Sequence, residues 1–314
     1  MSLPAGHTVR PMRQKDAAVI AERSGAYTSA LLGFPKHSAE DVANYLRDPG
    51  IDPATDGWMV AGPDGEFAGS ATAVAVTGGT HVNVDILSED PAVLDWLLHQ
   101  VERRATEVGS RTGREVVVRL GVIRQDVRLA AAVAAHGFAI STSTHRMRIT
   151  FDGQVPPPAV PDGVVVRRGA PDEASRRAAH AVLMEAFATQ PGTQPRPFEE
   201  WAASRESRST FDWSQVTIAE VDGLAVGMTE CNDNFVSTDN CGYVGRLGVV
   251  PSARGRGLAK FLLRNAFAVD SAAGRRGTIL HVDTGNPTPA VALYTGAGMR
   301  PDLISDIWTK TFRT

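Results

Sequence analysis

One segment limits what this chain can fold into more than any other: a strand that runs straight into a glycine-rich turn and then a helix. It reads Leu247-Gly-Val-Val-Pro-Ser-Ala-Arg-Gly-Arg-Gly-Leu-Ala-Lys260. The strand-like run stops at Pro251, and Arg254, Gly255, Arg256 and Gly257 make a tight turn. An apolar helical period (Leu258, Phe261, Leu262, Ala266, Val269) starts with no spacer. A helix that begins on glycines aims unpaired backbone N–H groups and its positive dipole end at whatever lies in front of it. With Arg254 and Arg256 alongside, the natural occupant is a phosphate or pyrophosphate. The plainer alternative is an ordinary basic turn.

Two common phosphate loops do not fit. The G-x-x-x-x-G-K-[ST] pattern is absent around Lys260. Gly255-Arg-Gly257-Leu-Ala-Lys260 begins like the dinucleotide fingerprint but ends on lysine, where a small close-packed residue is needed.

The segment closely resembles motif A of the GNAT acyl-CoA-dependent N-acetyltransferases. Leu247, Val249 and Pro251 match the strand part of that motif, and Arg254, Gly257 and Ala259 match the loop part. The resemblance implies that backbone N–H groups from Gly255 through Leu258 to Lys260 hold the coenzyme A pyrophosphate. It also implies a splayed strand in which Leu247, Gly248 and Val249 flank the pantetheine arm and the thioester. Downstream, Thr278-Ile-Leu-His-Val-Asp283 alternates as a strand. Asn286-Pro-Thr-Pro-Ala-Val-Ala-Leu-Tyr-Thr-Gly-Ala-Gly-Met299 reads as an N-capped helix closing on glycines. Asn286, Ala290, Leu293, Tyr294 and Gly298 are similar to the family's motif B, with Met299 in place of its usual aromatic. Asn286 joins the expected coenzyme contacts on this basis.

The same order of elements occurs twice. Thr8-Val-Arg10 and Val165-Val-Arg167 each open a half, and Asp64-Gly65 and Asp222-Gly223 each turn a hairpin. His136-Gly-Phe138 matches Ala297-Gly-Met299 at the end of the last helix. The repeat length of roughly 160 residues is too long for a solenoid and suits a duplicated domain. The expected organisation is a GNAT-like domain over residues 1–151, a proline-rich linker at 152–163 and a catalytic domain over 164–314. The fold class is α+β, two tandem domains each with a mixed, largely antiparallel central sheet flanked by helices.

The first copy differs where the second is most telling. His81-Val-Asn-Val-Asp-Ile-Leu87 runs into Ser88-Glu-Asp-Pro91 and then a helix, so two carboxylates and a proline replace the arginines and glycines. Acidic residues suit a helix N-terminus. Against a pyrophosphate they are repulsive, since like charges about 4 Å apart cost about 4 kcal/mol at an effective dielectric near 20. Val133 stands where the second copy has Tyr294. The first domain is expected to be degenerate and to bind no coenzyme.

Acyl transfer from a thioester to an amine needs a deprotonated amine, a stabilised oxyanion and a proton for the leaving thiolate. Backbone N–H near Val249 is the expected oxyanion donor. By resemblance Tyr294 is the general acid. Glu230, late on the neighbouring strand, is the expected base, with the alternative of an exposed strand carboxylate. His281 and Asp283, alternating on one face of the next strand, are candidate proton relays or else a satisfied strand pair, and Tyr243 is a further candidate. Phe198, Trp201, Phe211 and Trp213 are candidates to wall the acceptor pocket, with Glu199 and Glu200 attracting a cationic amine, or else to be core aromatics beside a solvated face.

Charge and cysteine content narrow the partners. A net charge of -3 gives no basic footprint for nucleic acid, and the two cysteines, Cys231 and Cys241, suit a reducing cytosol. No apolar run approaches a membrane span and no signal segment opens the chain. Eight dispersed histidines without H-x-x-x-H or C-x-x-C spacing predict no metal. The expected protein is a cytoplasmic monomer or homodimer that uses acetyl-CoA, without metal, to acetylate a small-molecule primary amine. The tandem layout also resembles GNAT enzymes that acetylate a cysteinyl amine on a sugar–inositol scaffold, which is one alternative, and a non-catalytic acyl-CoA sensor is the other.

Overall fold

The structure, a computed structural model, describes residues 2–76, 79–189, 196–285 and 289–313. The first half forms β1 (Thr8–Pro11), α1 (Ala17–Leu32), α2 (Ala39–Arg47), α3 (Pro53–Asp56), β2 (Gly57–Ala61), β3 (Phe67–Ala75), β4 (His81–Leu87), α4 (Pro91–Thr112), β5 (Val116–Ile123), α5 (Val127–Ala135) and β6 (Ala139–Thr150). The second half forms β7 (Val164–Arg168), α6 (Glu173–Phe187), α7 (Phe198–Glu206), β8 (Val216–Val221), β9 (Leu224–Asn232), α8 (Val236–Asp239), β10 (Cys241–Val249), α9 (Leu258–Ala272), β11 (Gly277–Asp283), α10 (Ala290–Gly296) and β12 (Arg300–Phe312). Among the described residues no helix is long and apolar enough to cross a membrane.

The chain divides into two compact units, one of Met1–Ser143 with Ser305–Thr314 and one of Thr144–Ile304. This partition differs from a cut at the prolines. Residues 152–163 form no regular element and lie inside the second unit. In the first unit the sheet order is β1-β2-β3-β4-β5, and β5 then pairs antiparallel with Ser305 to Phe312 of β12. In the second it is β7-β8-β9-β10-β11, and β11 pairs antiparallel with Thr144 to Thr150 of β6. Each half of the sequence therefore gives its last strand to the other unit. Within each sheet one neighbouring pair is parallel, β4 with β5 and β10 with β11, and the rest are antiparallel.

Apolar alternation on these strands builds the cores. In the first unit Val101, Ala105 and Val108 of α4 close on Val82, Val116 and Val118. In the second, Val182 and Leu183 of α6, Trp201 of α7 and Leu258, Phe261 and Leu262 of α9 belong to one cluster with Ile218 and Met228 of the sheet. Gly242 faces α9, where a Cβ would fall 2.0 Å from Asp270 Oδ1, and Gly248 faces α6, 3.1 Å from the Ala186 Cβ. Helices thus cover both faces of β10.

Candidate active site

The cleft in the second unit starts where β10 and β11 part. Their parallel register runs from Cys241↔Gly277 to Val244↔Leu280 and ends there. A register shift between Val244 and Arg246 follows, and β10 continues beside β9 alone, to Val249↔Gly227. A bulge of this kind bends a strand and increases its twist. Val250 N–H bonds to Val226 O at 2.9 Å, in the same register. Because bonded and non-bonded pairs alternate along an antiparallel ladder, Gly248 and Arg246 also bond to β9. Leu247 and Val249 then direct their N–H and C=O groups toward the edge that β11 has left.

At the end of β10, Pro251–Ala253 make a single 3-10 turn, and Gly255 and Gly257 both take a left-handed φ of +77°. No neighbour lies within 4 Å of either glycine's missing Cβ, so conformation and not space demands glycine here. α9 starts at once, and its first paired N–H is that of Phe261, to Gly257 O at 2.9 Å. No side chain caps this end. Among the described residues the N–H groups of Leu258, Ala259 and Lys260 have no partner, and the exposed Arg256 and Lys260 side chains have none either. Unpaired donors, two cationic residues and the positive end of a helix dipole thus lie together at the start of α9.

Arg254 differs from its expected role beside a phosphate. Its Nε donates to Val249 O at 3.2 Å and its Nη2 to Ala186 O at 2.9 Å. It ties the end of β10 to the C-terminal carbonyls of α6, a favourable place for a cation. Leu258 and Val249 bury their side chains in the core, so they can offer a coenzyme only backbone.

Tyr294 lies on α10, half-buried against a cluster that holds Val244, Leu263, Leu280 and Met299 and that Leu247 also touches. Burial, with Tyr243 nearby, pushes its phenol up to about 12. Among the described residues its hydroxyl has no hydrogen-bond partner. Asn286 lies outside the described residues.

Glu230 sits on β9 but is neither exposed nor free. It is 3% exposed, and Arg205 Nε of α7 donates to its Oε2 at 3.1 Å. Burial pulls the Arg205 guanidinium below its ordinary range while Glu230 opposes that. The pair is buried on both sides and fixes α7 on the sheet. Sequence reasoning missed Arg205, whose only signal was an arginine following a core tryptophan by one helical turn. Tyr243 donates to or accepts from His281 Nδ1 at 3.1 Å, and Phe235 packs edge-on against Tyr243 at 5.2 Å. Burial pushes the Tyr243 phenol up. Asp283 accepts from Gly285 N–H at 2.8 Å.

Of the four aromatics expected at the acceptor pocket, Trp201 is core, and Phe198, Phe211 and Trp213 are partly buried against the same cluster. Trp201 is 1% exposed, Trp213 packs on it at 5.4 Å, and Phe211 packs on Trp213 at 5.0 Å. Arg177 lies 4.1 Å over the Phe198 ring and pairs with Glu199 at 3.1 Å. Of the two acids expected to attract a cationic amine, Glu199 is thus already paired.

The counterpart in the first unit has the same outline. β4 and β5 pair in parallel from His81↔Val117 to Val84↔Leu120 and then separate. At the N-terminus of α4 the Asp90 carboxylate accepts from Ala92 N at 2.8 Å and Val93 N at 3.3 Å, and Pro91 has no N–H. Arg128 donates to Ser88 O at 3.0 Å and to Glu89 O. Val133 is fully buried.

Residues 180–299 match the model of the acetyltransferase (GNAT) family. A mycothiol acetyltransferase of Thermomonospora curvata is 33% identical over 170 residues, which cover 54% of this chain and 55% of that protein. The chain thus spans about half the length of that relative. A mycothiol acetyltransferase of Frankia casuarinae is 28% identical over 285 residues, 88% of this chain and 74% of its own. A GCN5-related N-acetyltransferase structure from Sphaerobacter thermophilus superposes with a TM-score of 0.81 at 27% identity, covering 100% of this chain and 98% of that one. A tandem GNAT protein from the clavulanic acid biosynthesis pathway shares the fold at a TM-score of 0.71 and 18% identity, covering 97% and 98%.

Proposed function

We propose that this chain, whose residues 180–299 match the acetyltransferase (GNAT) family, is an acyl-CoA-dependent N-acetyltransferase that moves an acetyl group from acetyl-CoA to the primary amine of a small molecule. The observation that carries this reading is the uncapped start of α9 at the end of a strand whose edge is open from Leu247 to Val249. The pyrophosphate rests on the N–H groups of Gly255 to Lys260, with Arg256 and Lys260 adding charge. The thioester then lies along the open edge, where Val249 N–H can stabilise the oxyanion.

In the ternary complex the amine nitrogen attacks the thioester carbon, the C–N bond forms and the C–S bond breaks. Tyr294 gives its phenolic proton to the departing thiolate. Its raised pKa keeps that proton in place across the whole neutral range. Glu230 holds Arg205 and α7, which makes it a positioning residue. His281, exposed and bonded to Tyr243, takes the amine proton through water. The second unit alone binds coenzyme, because Asp90 already fills the equivalent donors of α4.

A cysteinyl amine of the mycothiol type is the more specific acceptor, favoured by the Frankia casuarinae relative that spans both halves of this chain. Calorimetric titration with acetyl-CoA and a thiol-release assay over an amine panel that includes such a cysteinyl amine test both levels. One acetyl-CoA per chain and turnover with at least one amine are expected. Binding without turnover on any amine would leave a sensor, and two sites per chain would refute the assignment to one unit.

A further inference from the structure

A second arrangement of chemistry-bearing side chains lies in the first unit and plays no part in acyl transfer. Asp95, His99 and Glu102 share one stripe of α4, at i, i+4 and i+7. His136, the residue that ends α5, meets them. The two imidazoles pack edge to face with centroids 4.8 Å apart.

The pattern of partners is informative. The Glu102 carboxylate reaches both Nδ1 atoms, Oε1 to His136 at 3.3 Å and Oε2 to His99 at 3.3 Å. With Glu102 accepting Nδ1–H from both histidines, each ring keeps Nε2 as its ligating nitrogen. Both Nε2 atoms face Asp95, at 2.8 Å for His136 and 3.9 Å for His99. Lys310 Nζ donates to Glu102 Oε1 and to His136 O, each at 2.7 Å, and so fixes the supporting carboxylate and the end of α5 together. One ligand atom from each of Asp95, His99 and His136 falls within 4.8 Å of the others.

We propose that Asp95, His99 and His136 form a zinc site in which Glu102 orients both imidazoles. Two imidazole nitrogens and one carboxylate oxygen suit zinc, whose bonds near 2.0–2.1 Å place tetrahedral ligand atoms about 3.3 Å apart. The His136 and His99 Nε2 atoms lie 2.8 Å from Asp95 Oδ1 and 3.9 Å from Oδ2, respectively, either side of that spacing, so small side-chain rotations close the set around an ion. A carboxylate on the far nitrogen of each ligating histidine is the usual outer support of such a site. Asp95 and His136 also line a cavity of about 190 Å³ with Pro91, Leu94, Arg128, Ala132 and Ala135. Water or a small donor would complete the sphere of a three-residue site. The metal joins α4 to α5, the two helices that in the second unit are matched by the coenzyme-facing α9 and α10.

The test uses the full-length protein, stripped with a chelator and dialysed against zinc ion alone, with bound metal read by mass spectrometry. One zinc per chain is expected, and cobalt substitution should give the visible absorption of a tetrahedral site. His99→Gln and Asp95→Asn should each weaken zinc binding at least about 100-fold, and Glu102→Gln about 10- to 100-fold. His99 is 40% exposed on a helix surface, so its replacement keeps the fold, and circular dichroism checks that. Absence of zinc binding at tens of micromolar, or unchanged binding in a folded His99→Gln variant, would overturn the site and leave an ion-paired histidine cluster.

Discussion

The helices α4 and α9 occupy the same place in two units of the same topology, yet their N-terminal ends have opposite chemistry. α4 starts on proline, and Asp90 accepts from its next two N–H groups. α9 starts on two left-handed glycines, with no cap and with unpartnered cations beside it. The first end is complete in itself. The second leaves its donors unpaired among the described residues, open to the anion proposed above, and a few side chains make that difference.

The strongest way to break this contrast is to give α9 the cap of α4. Gly257→Asp should weaken acetyl-CoA binding by about 4 kcal/mol, roughly a thousandfold by calorimetry. Gly257→Ala carries the same left-handed strain without the charge and should lose far less. Equal losses in the two variants would show that strain, not charge, decides the site. Tyr294→Phe imitates the missing hydroxyl at Val133 and should lower kcat about ten- to a thousandfold while acetyl-CoA affinity stays unchanged. Unaltered turnover in the thiol-release assay would remove Tyr294 as the acid.

The two helices also differ deeper in the core, where α4 presents Val101, Ala105 and Val108 and α9 presents Asp270. Burial pushes the Asp270 carboxyl up to about 6 although Thr278 Oγ1 donates to it at 2.5 Å. Unfolded, this carboxyl ionises near 3.8, so the folded chain holds the proton more tightly between the two values. Its contribution to stability is fully present below pH 3.8 and is lost as pH rises toward 6, on the order of 3 kcal/mol in all. Asp270→Asn should flatten that part of the urea-denaturation profile, and an unchanged slope would contradict the assignment. The smallest effect is expected at the cap itself. Asp90→Ala should cost about 1 kcal/mol of stability and create no second acetyl-CoA site, since Pro91 and Val133 remain. A second equivalent bound in that variant would mean that Asp90 alone silences the first unit.

What could be read from the sequence was what is local. The strand–turn–helix at 247–260, the strand His81–Leu87 and the acidic start of α4 are each written in consecutive residues, and the structure has them there. Partners distant in the chain were not legible. Glu230 looks like any strand carboxylate until Arg205 is placed against it, 25 positions away. His136 pairs with residues 41 and 34 positions back, so a search for short metal spacings passes over it. Arg254 fits its motif by type, but two carbonyls hold it. The exchange of last strands was hidden for another reason. β6 and β12 are both long terminal strands of a half, and alternation specifies a face without naming a sheet.

That exchange makes each half of the sequence depend on the other for an edge strand. A gene that lost everything before the proline segment would keep every residue proposed here for acyl transfer and still lack Thr144 to Thr150, the strand that covers the outer edge of β11. A premature stop after Ile304 would spare the second unit and strip β5 of its neighbour in the first. Neither half of the sequence can therefore be cut away without opening a sheet edge in the unit that remains.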